Sequence, residues 1–157
     1  MKPIPIPLLF LLAGLALPTF GAELACPDLA RAVQVASCPS DEELRYTFTG
    51  YCSDDKLRYK GETDVCTTFE SYRQFKNLAL WESADGNFSA YVSCDRAPEA
   101  VKATRATSVR VAKQGRINLV VCGYGDGLNF THRTRAECRV STASCAGDAS
   151  ACKAICD

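Results

Sequence analysis

"LALWESADGNFSAYVSC", residues 78–94, decides the fold. Two runs of alternating character flank Asp85-Gly86-Asn87, residue types that accept the positive φ angles of a tight turn. A β-hairpin follows. Downstream, "TSVRVAKQGRINLVVCGY" (107–124) predicts a second hairpin with Gly115 at its tip. After the "GDG" turn, "LNFTHRT" (128–134) and "ECRV" (137–140) add strands. Upstream, "LRYTFTGYC" (44–52) sets Leu44, Tyr46 and Phe48 against Arg45, Thr47 and Thr49, the pattern of a half-buried strand. "KLRYK" (56–60) pairs back on it past the "SDD" turn.

Helical spacing is confined to short segments. In "TTFESYRQF" (67–75), Phe69, Tyr72 and Phe75 share a helical face. In "CPDLARAVQVASCPS" (26–40), Pro27 and Asp28 open a helix whose face is Leu29, Ala32, Val33 and Ala36, ending near Ser37. In the tail "CAGDASACKAICD" (145–157), Cys152 and Cys156 stand four apart, on one face of a terminal helix. "DRAPEAVKATRAT" (95–107) is a polar connection, the expected mobile loop. Strands joined by glycine turns predict a mainly β, β-rich α+β fold: a small disulfide-stapled antiparallel sandwich or open barrel with a short helix near each end.

The first residues, "MKPIPIPLLFLLAGLALPTFGA", form a signal-peptide pattern over 1–22. Lys2 supplies the positive start, Leu8–Leu17 an uncharged core, and Gly21 and Ala22 the small residues of a cleavage site. That core is about ten residues, against roughly 20 needed for a membrane span. Cys26 follows closely enough to suggest a lipoprotein, but Glu23 puts a charge where a lipobox excludes one. The expectation is an exported single domain, 23–157, with no membrane span in the mature chain.

All ten cysteines, Cys26, Cys38, Cys52, Cys66, Cys94, Cys122, Cys138, Cys145, Cys152 and Cys156, lie beyond that segment. An even, high count in an exported chain reads as a disulfide framework, with the pairing left open. A zinc site would need Cys-x-x-Cys or histidine spacing that is absent, so no metal and no cofactor are expected. The balanced charge, 18 basic against 18 acidic residues, and scattered cations argue against nucleic-acid binding. Acids dominate up to Asn87 and arginines thereafter, an asymmetry that folding is expected to intermix. Asn87 and Asn129 head N-x-S/T triplets, which mark glycosylation only in a eukaryotic secretory route.

The single histidine, His132, lies on the alternation Leu128, Phe130, His132, at the end of an apolar stripe, while Arg133 and Arg135 face solvent. A catalytic reading would join His132 to Glu137 or Asp126 as carboxylate partner and to Arg133 as anion clamp. No spacing compels them to meet. A Gly-x-Ser-x-Gly elbow is missing, "GYGDG" lacks the Lys-Ser/Thr of a P-loop, and an even cysteine count leaves no thiol nucleophile.

"SCPSDEEL" and "LVVCGYGDGLNFTHRTRAECRV" together resemble small exported proteins of Gram-negative bacteria, through Cys38, Pro39, Cys122, Tyr124 and Cys138. In size, compartment and style the chain is also similar to periplasmic immunity proteins against type VI secretion effectors, and to lysozyme inhibitors. The tail cysteines Cys145, Cys152 and Cys156 depart from the simpler pattern. That resemblance implies a periplasmic or secreted non-enzyme whose partner is a peptidoglycan hydrolase or another periplasmic effector. Loops inserted into the target's cleft would carry the contact residues: Glu82, Asp85 and Asn87 on the first hairpin, Tyr124 and Asp126 on the "GYGDG" turn, and His132. Trp81 is either an interface anchor or core, its alternating run favouring core. The alternative is a small secreted hydrolase or nuclease using His132.

Overall fold

The computed structural model describes residues 21–54, 64–143, 145 and 148–157. Residues 1–20 of the expected signal peptide and the expected "KLRYK" strand lie outside them. The fold is mainly β. Strands β2 (Val33–Gln34), β3 (Leu78–Glu82), β4 (Ser89–Ser93), β5 (Ser108–Gln114), β6 (Ile117–Gly123) and β7 (Asn129–Thr134) form a six-stranded antiparallel sheet in the order β2-β3-β4-β7-β6-β5. Strands β1 (Ala22–Ala25), β8 (Cys138–Thr142) and β9 (Lys153–Cys156) form a smaller sheet, β1-β9-β8, whose β8 and β9 lie against β5.

Alternation sorts the large sheet into two faces, because directly paired residues of neighbouring strands point to the same side. Ala79, Trp81, Ala90, Val92, Val109, Val120, Cys122 and Phe130 are buried on the inner face. Leu29, Val101, Cys152 and Ala154 close the same core from outside the sheet. Trp81 is 3% exposed, so it is core and no interface anchor. Both predicted hairpins are present, with Leu78 opposite Ser93 and Ser108 opposite Gly123.

All the cysteines pair: Cys26–Cys122, Cys38–Cys94, Cys52–Cys66, Cys138–Cys156 and Cys145–Cys152. These five bridges suit an oxidising compartment. Among the described residues no helix is long and apolar enough to cross a membrane.

Four local expectations are overturned. "LRYTFTGYC" is helical, part of α1 (Asp41–Cys52). A capping box outweighs the alternation: Ser40 Oγ accepts from Glu43 N at 3.2 Å and the Glu43 carboxylate accepts from Ser40 N at 2.7 Å. Asp41, Glu42 and Glu43 then sit at the positive end of the helix dipole. The opening segment makes only a 3₁₀ turn, Leu29–Arg31, before β2. Bridges from Cys26 to β6 and from Cys38 to Cys94, just past β4, draw its two ends toward different strands, and β2 takes up the edge of β3. The tail forms a 3₁₀ turn, Ala149–Ala151, followed by β9. Cysteines four apart share a face of a strand as well as of a helix, and buried Ala154 between Cys152 and Cys156 marks the strand period. Finally, the polar connection holds a short helix, α3 (Pro98–Ala103), with Pro98 in its first turn and fully buried Val101 packed towards the Leu29–Arg31 turn.

The "TTFESYRQF" helix is present as α2 (Phe69–Lys76) and pairs with α1 through rings. Phe48 lies 5.8 Å from Phe69 and 5.3 Å from Tyr72, and Tyr51 lies 5.7 Å from Tyr72. Arg73 binds Asp41 at 3.4 Å and Asp95 at 2.9 Å, tying both helices to the end of β4.

Candidate functional site

The turn between β3 and β4 is closed by side chains as well as backbone. Ser83 N donates to Phe88 O at 2.9 Å, and Phe88 N donates back to Ser83 Oγ at 3.0 Å. Gly86, at φ +71°, makes the reversal that a side chain would strain. Asp85 Oδ1 accepts from the Ser83 hydroxyl at 2.5 Å and from Asn87 N at 3.1 Å, while Oδ2 accepts from Asn87 Nδ2 at 2.8 Å. The Ser83 hydroxyl above all holds the Asp85 carboxyl below the usual carboxylate range.

His132 completes the turn from β7. Its Nδ1 lies 2.8 Å from the Asn87 carbonyl oxygen, and its ring centroid lies 5.7 Å from that of Phe88. A carbonyl only accepts, so Nδ1 carries the proton in this geometry. As the alternation predicts, His132 shares the inner face with Phe130, half-buried beside the β3–β4 turn on an interior strand, and Arg133 and Arg135 are exposed.

The other proposed contacts are dispersed. Strand β7 runs against β4 with Thr131 opposite Ser89. The end of β7 that follows "GYGDG" therefore points away from the Ser83–Phe88 turn, so the two turns occupy opposite ends of the sheet. Tyr124 is buried, and is a core residue in place of a turn-tip contact: its hydroxyl donates to Pro27 O at 2.5 Å and its ring meets Phe130 edge-on at 5.7 Å. Burial first, and the Asp28 charge second, push its phenol well above the usual range. Asp126 is exposed with φ +47°, and its carbonyl accepts from Arg96 Nη2 at 3.1 Å. Glu82 is half-buried at the end of β3 and points to the outer face, opposite to His132. Thus Asp85, Asn87 and His132 converge with Glu82 nearby, while Tyr124 and Asp126 do not join them.

The residues of the catalytic alternative do not assemble either. Asp126 is at the far end, Arg133 projects from the face opposite to His132, and Glu137 pairs with Lys113 at 3.2 Å. Among the described residues no carboxylate hydrogen-bonds His132, and no group of three His, Cys, Asp or Glu side chains could hold a metal ion.

Sequence reasoning missed two surface features. One is an open groove of about 1220 Å³ whose lining includes Pro39, Leu44, Thr47, Tyr51, Tyr72 and Leu78. Reading α1 as a strand hid it, although Ser40-x-x-Glu43 signals the helix start. The other is the outer face of the large sheet, where Tyr91 is 70% and Val33 49% exposed. Its residues were legible as the outward members of each alternation. No protein-family model, curated protein or solved structure matches this chain.

Proposed function

We propose that the chain is an exported binding protein that inhibits a cell-wall-degrading enzyme, as an immunity protein or a lysozyme-type inhibitor does. The observation that carries this reading is the pre-ordered edge built by Ser83, Asp85, Asn87 and His132. Its turn is fixed by hydrogen bonds among its own side chains and one from His132 on β7, on a body held by five bridges. A surface ordered before contact loses little conformational entropy on docking, so its contacts convert efficiently to affinity. His132 serves as part of that order, its Nδ1 committed to the backbone of the turn. The partner is a peptidoglycan hydrolase acting in the periplasm or outside the cell.

The test combines purified mature chain with a panel of muramidases and amidases and follows fragment release from isolated peptidoglycan. Stoichiometric inhibition of at least one enzyme is expected. Undiminished release by every enzyme, together with an empty periplasmic pull-down, would overturn the reading.

A further inference from the structure

The cations among the described residues differ in their partners: Arg96 donates to the Asp126 carbonyl, Arg45 and Lys76 stand over aromatic rings, and Arg31 and Lys102 are exposed on the Leu29–Arg31 turn and on α3. Arg73, Arg105, Lys113, Arg139 and Lys153 each stand within ion-pair distance of a carboxylate. Arg110, Arg116, Arg133 and Arg135 are exposed, and among the described residues no ion pair or hydrogen bond engages their guanidinium groups. These four belong to β5, the β5–β6 turn, β7 and the residue just past it.

Register places them. Arg110 is opposite Val121, which is opposite Thr131, which is opposite Ser89, which is opposite Glu82. That row lies on the outer face, because the intervening Val120, Cys122 and Phe130 fill the core. Arg133 is opposite Leu119, one step along the same face, toward the end where Arg116 turns the β5–β6 hairpin. Strand spacing and rise put the Cα atoms of Arg110 and Arg133 about 12 Å apart. Tyr91, 70% exposed, lies on the same face over β4. Tyrosine and arginine are the side chains that most often carry the binding energy of protein interfaces.

We propose that this outer face, which the ordered Ser83–Phe88 turn borders at Glu82 and Ser89, is the docking surface, and that it takes the carboxylate-bearing cleft of a glycan-cleaving peptidoglycan hydrolase. The proposal rests on the inhibitor reading and specifies the target class. Glycosidases cleave with a pair of carboxyl groups roughly 5–9.5 Å apart. Two guanidinium groups on long stems, rooted about 12 Å apart, can bracket such a pair, each able to form a bidentate contact. Glu82 lies at the other end of the same row, four strands from Arg110, and Asp85 is held inside its turn, so neither acid stands beside the arginine pair.

The test measures the affinity of the mature chain for three probes: a muramidase, the same muramidase with its catalytic acid glutamate replaced by glutamine, and a zinc-dependent amidase. Wild type is compared with R110Q/R133Q, R116Q/R135Q and Y91A, each checked for an unchanged melting curve. The expected result is muramidase binding that weakens at higher ionic strength, about tenfold loss or more in R110Q/R133Q, and a weaker complex with the glutamine muramidase. Muramidase affinity equal in wild type and both arginine double variants would overturn the docking surface while leaving the inhibitor reading intact. Binding to the amidase alone would overturn the target class in the same way. No binding or inhibition of any hydrolase would overturn both.

Discussion

Nδ1 of His132 on β7 lies 2.8 Å from the carbonyl oxygen of Asn87, 45 residues earlier in the chain. The only histidine of the sequence therefore acts as a strut between a strand and a turn. Replacing it by alanine removes one hydrogen bond and the ring packed on Phe88. We expect H132A to lose about 1–2 kcal/mol in urea unfolding and to exchange its turn amides faster. Unchanged stability and exchange would show that the strut bears nothing.

The Asp85 carboxyl is held below its ordinary value chiefly by the Ser83 hydroxyl, and Glu43, Asp95 and Asp148 are also lowered, each first by a hydrogen bond. A carboxyl depressed in the folded state stabilises fully above its unfolded pKa, about 3.9 for Asp. That stability is lost as pH falls through the lower folded value. The melting temperature should therefore hold steady above about pH 5 and drop below about pH 4. D85N should melt lower than wild type near neutrality and show a shallower acid drop. Parallel acid profiles for the two proteins would exclude Asp85 as a contributor.

The Cys26–Cys122 bridge closes a span of 96 residues, and Cys145–Cys152 a span of only 7. Loop-closure entropy makes the longer one more stabilising, at about 4–5 kcal/mol against about 2 kcal/mol. Alanine pairs at the two bridges, compared by chemical denaturation, should reproduce that order. The reverse order would mean that native packing around Cys145, not the entropy of the unfolded chain, sets the difference.

S40A removes the side-chain half of the α1 capping box and should cost about 0.5–2 kcal/mol, felt locally. Amide exchange at Glu43 should quicken while β3 and β4 keep their protection. Uniform loosening of sheet and helix would show that α1 is integral to the cooperative core.

The hairpins were readable from sequence because a strand's period of two survives wherever one face is buried, as Trp81, Ala90 and Val92 illustrate. The same period misled at Leu44, Tyr46 and Phe48. There the four-residue capping box Ser40-x-x-Glu43 settles the backbone and leaves Tyr46 82% exposed. Cys152 and Cys156 were compatible with either period, and only Ala154 and the neighbouring β1 and β8 decide between them. At the candidate site, the turn chemistry of Asp85 and Asn87 was local and visible. The separation of Tyr124 and Asp126 from it was not, because the antiparallel register of β4 and β7 is a long-range property. The unpaired state of Arg110 and Arg133 was equally hidden, since a charge finds its partner in space.

Strand β9 is the central member of the small sheet and joins Leu24 on one side to Val140 on the other, through Ala154. A chain delivered from its amino end, whether by a ribosome or through a translocation channel, leaves residues 22–25 waiting until residues 153–156 have emerged. Native closure of this sheet is thus a late event in biosynthesis, and a truncation removing the last few residues would strand an early segment as well.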